Sequence, residues 1–340
     1  MELFHILETA VNAVMPICLI MVLGFLLKQK GFLSEAFIKQ GSALGFRLLL
    51  PCLLFINVYN IEDLSAIPWD LVIFCCTMLV VLFLIGLATV GLTTRVPERK
   101  GVILQSTFRS NTAIIGISLA SALGGEAAVA VSAVVVAFSI PILNTFAVIA
   151  LTIFVDHGKK ISVKDIIWKI VTNPLIDAIL LSGGCLVIRA LQKEFLGEVV
   201  FTLSDDLRVF YLVISQLASI ASPFALVILG GQFNFSACGS MLKEIIIGTA
   251  WRIVIAPVLA VGAAYLLSTY TGLLHCGTVE YPAVIALFGT PAAVSSAIMA
   301  GQMKNDEQLA TQIVVWTSVG SIATMFITVC LLMSVGLLAV

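Results

Sequence analysis

The sequence predicts an all-α membrane protein of ten transmembrane helices, folded as two inverted five-helix repeats whose fourth and ninth spans are broken. Three observations predict it: the composition, the division of the chain into apolar blocks of about 20 residues, and a similarity between the two halves. Hydrophobic residues make up 60 % of the 340 and charged residues 11 %. A soluble core of this size does not need that much apolar material, because the same chain must also supply a water-facing surface.

Apolar runs separated by short charged clusters place spans at 7–27, 39–59, 70–93, 101–122 and 127–154 in the first half. The second half repeats the count with 166–188, 209–232, 244–269, 281–302 and 308–338. Most are long enough to cross a hydrocarbon core, some with tilt to spare. Nothing basic precedes the first span and no A-x-A-like site follows it, so the sequence predicts a retained helix rather than a cleaved signal peptide. The chain then divides into a first repeat, 1–155, a cytoplasmic connection, 156–165, and an inverted second repeat, 166–340.

Basic residues give the orientation. Loops after odd-numbered spans carry Lys28, Lys30, Lys39, Arg95, Arg99, Lys100, Lys159, Lys160, Lys164, Lys169, Lys243 and Lys304. Loops after even-numbered spans carry Arg189, Lys193 and Arg208, beside the acids Glu62, Asp63, Asp205 and Asp206. The positive-inside rule therefore predicts a multi-pass protein of the cell (inner) membrane with both termini outside.

Five spans on each side of the connection mean that the second copy enters the membrane upside down. Met15-Pro16-Ile17 in the first span matches Asn173-Pro174-Leu175 in the sixth, and Leu50-Pro51 in the second matches Ser222-Pro223 in the seventh. Spans four and five align with nine and ten at a constant offset without a gap. The register pairs Phe108 with Phe288, Ala113 with Ala293, Ile142 with Ile322 and Phe146 with Phe326.

That register sets Asn111 against Pro291. Around them lie Arg109-Ser110-Asn111-Thr112 and Phe288-Gly289-Thr290-Pro291. Proline removes a backbone donor and clashes with the preceding turn, and Asn, Ser and Thr offer the backbone alternative hydrogen bonds. Broken spans at matching places in inverted halves point to a binding site at the midplane. Prolines in transmembrane helices are also commonly structural kinks, and Pro16, Pro141 and Pro257 are read that way.

Arg109 is the sharpest single residue, since an arginine at a helix centre costs at least ~2.5 kcal/mol on insertion. Either its planar fork pairs with a substrate carboxylate, or it snorkels to the cytoplasmic end. For Arg47 and Arg252 snorkelling or helix-to-helix bonding is the expected role. Asp177, the only acid deep inside a predicted span, is the candidate for ion coupling; it could instead bond the backbone or a neighbouring arginine. Asn144, after Pro141, is a further ligand candidate. Thr317, Ser318, Ser321 and Thr324 share most of one helical face and read as packing contacts.

No phosphate loop, H-E-x-x-H or G-x-S-x-G pattern is present, so catalysis and ATP-driven transport are not expected. The eight cysteines lack C-x-x-C spacing and the three histidines, His5, His157 and His275, lie near span ends or in loops. Neither a metal nor any other cofactor is implied, and no basic footprint suggests nucleic acid.

The segment from Phe108 to Leu119 (Phe-Arg-Ser-Asn-Thr-Ala-Ile-Ile-Gly-Ile-Ser-Leu) resembles the fourth-span pattern of the auxin efflux carrier family, with Asn111 and Gly116 at its key places. Asn173-Pro174, the run from Ser222 to Gly231, and Pro291 followed by small residues and Lys304-Asn305-Asp306-Glu307 resemble it too. This family joins plant auxin exporters with bacterial permeases for malate, malonate and similar acids. The resemblance implies a fold shared with bile-acid symporters and sodium/proton antiporters. Spans 1, 2, 6 and 7 would form a scaffold, and spans 3–5 and 8–10 a moving, elevator-like domain in which spans 4 and 9 cross. It also implies a carboxylate held by Asn111 and Pro291, with help from Asn144, and suits a homodimer joined through the scaffold. Asp177 departs from the family's apolar residue there, which leaves proton or sodium coupling open.

The expected function is a secondary transporter of small organic anions in the lipid bilayer, with Arg109, Asn111, Thr112, Asn144, Thr290 and Pro291 as substrate residues. A cation/proton antiporter of the same fold and a non-transporting membrane receptor are the alternatives.

Overall fold

A computed structural model describes residues 2–60, 68–155, 168, 172–234 and 238–338. Among them the chain forms eleven helical segments and no strand beyond one isolated β-bridge. In order these are α1 (Glu2–Gln29), α2 (Glu35–Tyr59), α3 (Trp69–Thr93), α4 (Pro97–Phe108) and α5 (Ile117–Thr152). The second half gives α6 (Pro174–Leu196), α7 (Arg208–Gln232), α8 (Gly239–Thr271), α9 (Glu280–Phe288), α10 (Ser295–Gln302) and α11 (Glu307–Ser334). The expected connection 156–165 with His157, Lys159, Lys160 and Lys164, and also Glu62, Asp63 and Lys169, lie outside the described residues.

Seven segments are long and apolar enough to cross a membrane: α2, α3, α6, α7, α8, α11 and, from Leu119 on, α5. Among the described side chains, α1 contributes the apolar stretch Met15–Gln29. With 12, 9 and 8 residues, α4, α9 and α10 are too short to cross alone at 1.5 Å per residue. The stretch expected as the ninth span is thus two helices with residues 289–294 between them. The fourth expected span is α4, a non-helical step at 109–111, and a π-helical turn, Thr112–Gly116, that runs into α5. A further reversal divides α5 itself, where Gly124 and Gly125 leave helical geometry and Gly125 takes φ 61°, ψ −154°. Only glycine occupies that region without strain.

Local sequence explains the helix starts. Ser34 Oγ accepts the Phe37 N–H at the start of α2, and Asp306 Oδ1 accepts the Leu309 N–H at the start of α11. At α6, Asn173 Oδ1 accepts the Leu175 N–H, with Pro174 in the first turn where its missing donor costs nothing. Inside α2 and α8 the π-helical turns Gly45–Leu49 and Trp251–Ile255 directly precede Pro51 and Pro257. The wider turn absorbs the carbonyl that each proline leaves without a partner.

The burial pattern separates long helices from short ones. From Gly101 to Phe108 in α4 and from Tyr281 to Phe288 in α9 every residue is buried. The long helices instead expose large apolar side chains, among them Ile73 and Leu84 on α3, Leu180 and Val187 on α6, and Phe210 and Val213 on α7. A helix apolar all round needs a non-aqueous neighbour on every face, and here lipid serves the outside. The chain is an integral membrane protein with the short elements α4 and α9 at its heart.

Candidate functional site

The two breaks meet. Past Phe108 the backbone of Arg109 is extended (φ −87°, ψ 110°), which turns the chain away from the α4 axis. Ser110 pairs with Ala292 in an antiparallel bridge, and the Asn111 N–H donates to the Pro291 carbonyl at 2.8 Å. Each interruption thereby satisfies backbone groups that the other leaves open, as buried polar backbone requires. The Ala292 N–H donates to Thr317 Oγ1 at 3.1 Å, which ties α11 to the same point.

Arg109 is buried at 4 % exposure and does not snorkel. Its Nη2 donates to Asn144 Oδ1 and to Ser295 Oγ, both at 3.0 Å, and its Nη1 to Met299 Sδ at 2.6 Å. All three acceptors are neutral, and no carboxylate lies within salt-bridge distance among the described residues. Asn144 is held for this contact by its own Nδ2, which donates to the Ile140 carbonyl at 2.9 Å.

A cavity of ≈ 80 Å³ opens beside this group. Since about 10–15 Å³ on this measure admits one water, it has room for several waters or a small organic molecule. Arg109, Ser110, Asn111, Thr112 and Asn144 line it, with Ser295 at the start of α10. Its remaining wall is largely apolar: Leu50, Leu53 and Leu54 of α2, Val136, Ile140 and Leu143 of α5, Leu175 of α6 and Leu287 of α9.

The other residues singled out from the sequence fall elsewhere. Thr290 is fully buried and donates to the Ala286 carbonyl at 3.0 Å, and Pro291 contributes its carbonyl to Asn111; neither lines the cavity. Asp177 is exposed in the first turn of α6, outside the lining, one turn after the Asn173 cap. Thr317, Ser318 and Ser321 donate to carbonyls one turn back in α11. Arg47 is exposed, as snorkelling requires, whereas Arg252 is fully buried and donates to the Phe288 carbonyl.

Four polar lining residues were not among the candidates from the sequence: Asn57, Ser139, Ser222 and Ser295. Asn57 shares a helical face with Leu50, Leu53 and Leu54, and Ser222 belongs to the Ser222-Pro223 pair already matched to α2. Those two carried a usable signal. Ser139 and Ser295 sit among apolar and small residues that nothing local distinguishes.

The electrostatics also need one addition. Two half-helix N-termini, at Thr112 and Ser295, bring roughly +0.5 of a charge each. The bridge brings two half-helix C-termini, at Phe108 and Phe288, to the same place with the opposite sign. Helix ends alone therefore nearly cancel, and of the side chains that line the cavity Arg109 alone brings a formal charge.

A family model described as membrane transport protein, that of the auxin efflux carrier family, matches residues 9–329. The match spans well over half of the chain, and the chain belongs to that family. No curated protein matches it closely enough to count as a relative.

Proposed function

We propose that this membrane transport protein is a secondary transporter of small organic anions, malate- or malonate-like or other carboxylates, that works by alternating access across the cytoplasmic membrane. One observation carries the reading: the guanidinium of Arg109 is buried beside a cavity and bonded only to neutral acceptors. A buried charge without a counter-ion is costly, and a carboxylate arriving in the cavity would supply one, with two N–H···O bonds from the planar fork.

Asn111 and Thr112 are read as further contacts to the anion, and Asn144 as the side chain that holds Arg109 toward it. Thr290 and Pro291 support the site through the backbone. In this reading α4 with the turn at Thr112–Gly116, and α9 with α10, are the two crossing spans of a ten-span inverted repeat. The first repeat would cover 1–155 and the second 166–340. A scaffold of α1, α2, α6 and α7 would face a moving bundle of the other segments, and the cavity lining drawn from both groups fits that division.

An inside-negative potential favours anion export by ~2.3 kcal/mol per unit charge per 100 mV. Export therefore runs uncoupled, whereas uptake needs protons or sodium; Asp177 is the candidate to test for coupling.

Purified protein in proteoliposomes, screened for uptake of labelled mono- and dicarboxylates with and without a pH or sodium gradient, tests the proposal. Saturable flux of at least one acid, lost in Arg109→Ala and in Asn111→Ala while both remain folded, is the expected result. Cation-dependent proton flux without any organic anion would instead make it an antiporter, and no flux at all would leave a receptor. If Asp177 couples the ion, Asp177→Asn abolishes only the gradient-driven part.

A further inference from the structure

We propose that Arg252 is a positioning residue for the anion site: it holds the end of α9 and cancels the negative charge of that end, so that the cavity stays positive. The inference rests on the anion-transport reading above and adds to it a second charged group remote from the cavity surface.

Arg252 lies in the π-helical turn Trp251–Ile255 of α8 and is 0 % exposed. Its Nη2 donates to the carbonyl of Phe288, the last residue of α9. The preceding residue, Leu287, forms part of the cavity wall, so Arg252 bonds the backbone one residue along the chain from a lining position. Its Nε and Nη1 have no hydrogen-bond partner among the described residues, and no carboxylate pairs with it there.

Holding one carbonyl does not require this. A glutamine could donate to the Phe288 oxygen without stranding two donor nitrogens or a charge, and burying an unpaired charge costs far more than one hydrogen bond returns. What a guanidinium adds is a full positive charge at a half-helix C-terminus, where the last carbonyls carry roughly half a negative charge. The α4 end is not matched in this way: Arg109 follows Phe108 in the chain, but its guanidinium turns to Asn144, Ser295 and Met299. With the Phe288 end matched by Arg252, one C-terminal end, that of α4, stands against the two N-terminal ends at Thr112 and Ser295, and the sum favours an anion. An anion in the cavity would be repelled by an uncompensated Phe288 end.

The test compares Arg252→Lys, which keeps the charge, with Arg252→Gln, which keeps a donor and loses the charge. Local potential is read directly from the pKa of the thiol introduced by Ala293→Cys, a cavity-lining position, from the pH dependence of iodoacetamide labelling followed by peptide mass spectrometry. Arg252→Gln is expected to raise that pKa by about one unit and to raise the KM for whichever acid the screen identifies by about tenfold, with Vmax little changed. Arg252→Lys leaves both near the parent values. A purely structural tether would not separate the two variants. An unmoved thiol pKa in Arg252→Gln, or an equal shift in both variants, overturns the proposal. Should Arg252→Gln fail to insert, Arg252→Met supplies the neutral arm. If the thiol shifts as expected and none of malate, malonate, lactate or benzoate is transported, the electrostatic role stands and the transport reading falls.

Discussion

Arg109 concentrates the chemistry of this protein in one side chain because every other polar group near it is neutral. Arg109→Gln keeps a planar amide beside Asn144 and Ser295 but removes the charge. Loss of a charge-assisted hydrogen bond, worth about 1.5–3 kcal/mol, predicts a fall in saturable anion uptake of roughly 10- to 100-fold. Arg109→Lys keeps the charge without the fork and should fall between, and equal uptake in all three proteins would remove Arg109 from the site. Cys276, in the connection between α8 and α9, gives a test of local burial. Its thiol is pushed up to about 12, first by burial and then by Glu280 and Asp70. Because the raised pKa keeps the thiol protonated at neutral pH, maleimide should label it about three orders of magnitude more slowly at pH 8 than an ordinary cysteine. The rate should climb about tenfold per pH unit until near pH 12, as peptide mass spectrometry would show.

At the scale of elements, α1 and α7 pack backbone against backbone. A Cβ on Gly230 would stand 1.9 Å from the Met21 carbonyl oxygen, and one on Gly24 2.2 Å from that of Val227. Backbone atoms cannot move aside as a side-chain end can, so Gly230→Ala must push the helices apart at a cost of about 1–3 kcal/mol. Gly183→Ala on α6 meets nothing within 4 Å and should be neutral or slightly stabilising. Thermal unfolding of the two variants in detergent, side by side, checks the contrast. A second junction lies where α4 begins. Arg99 donates through Nε to Asp306 at 2.9 Å and through Nη1 to Glu244 at 3.1 Å, and so joins the starts of α8 and α11 to α4. All three side chains are under a fifth exposed, so Arg99→Ala leaves two carboxylates facing each other. Destabilisation on the order of 2 kcal/mol is expected, seen as a lower unfolding temperature.

For the molecule as a whole, alternating access requires that the two helix groups move against each other. Val58 of α2, Val136 and Ile140 of α5 and Ile179 of α6 form a small buried cluster separate from the main core. In the proposed arrangement it lies across the boundary between scaffold and moving bundle, as an apolar seal that has to part during transport. A disulfide between Val58→Cys and Val136→Cys should therefore stop anion flux under oxidising conditions, with recovery on reduction and no loss of folded protein. Full transport by the cross-linked protein would exclude relative movement at this seam.

Composition and punctuation made the class of this protein legible. Sixty per cent apolar residues require lipid as a neighbour whatever the fold, and the residues that interrupt helices at 109–111 and 289–294 act through their own backbone chemistry. Those properties are local, so one sequence determines them. Partners are a different matter. That the Asn111 N–H reaches the Pro291 carbonyl, that Arg109 turns to Asn144, Ser295 and Met299 instead of snorkelling, and that Arg252 ends on the Phe288 carbonyl depend on helices far apart in the chain. Ser139 and Ser295 became cavity residues only once packing had aimed their faces inward. Side-chain direction in a membrane interior is set by which neighbour excludes lipid, and that is decided by tertiary structure alone.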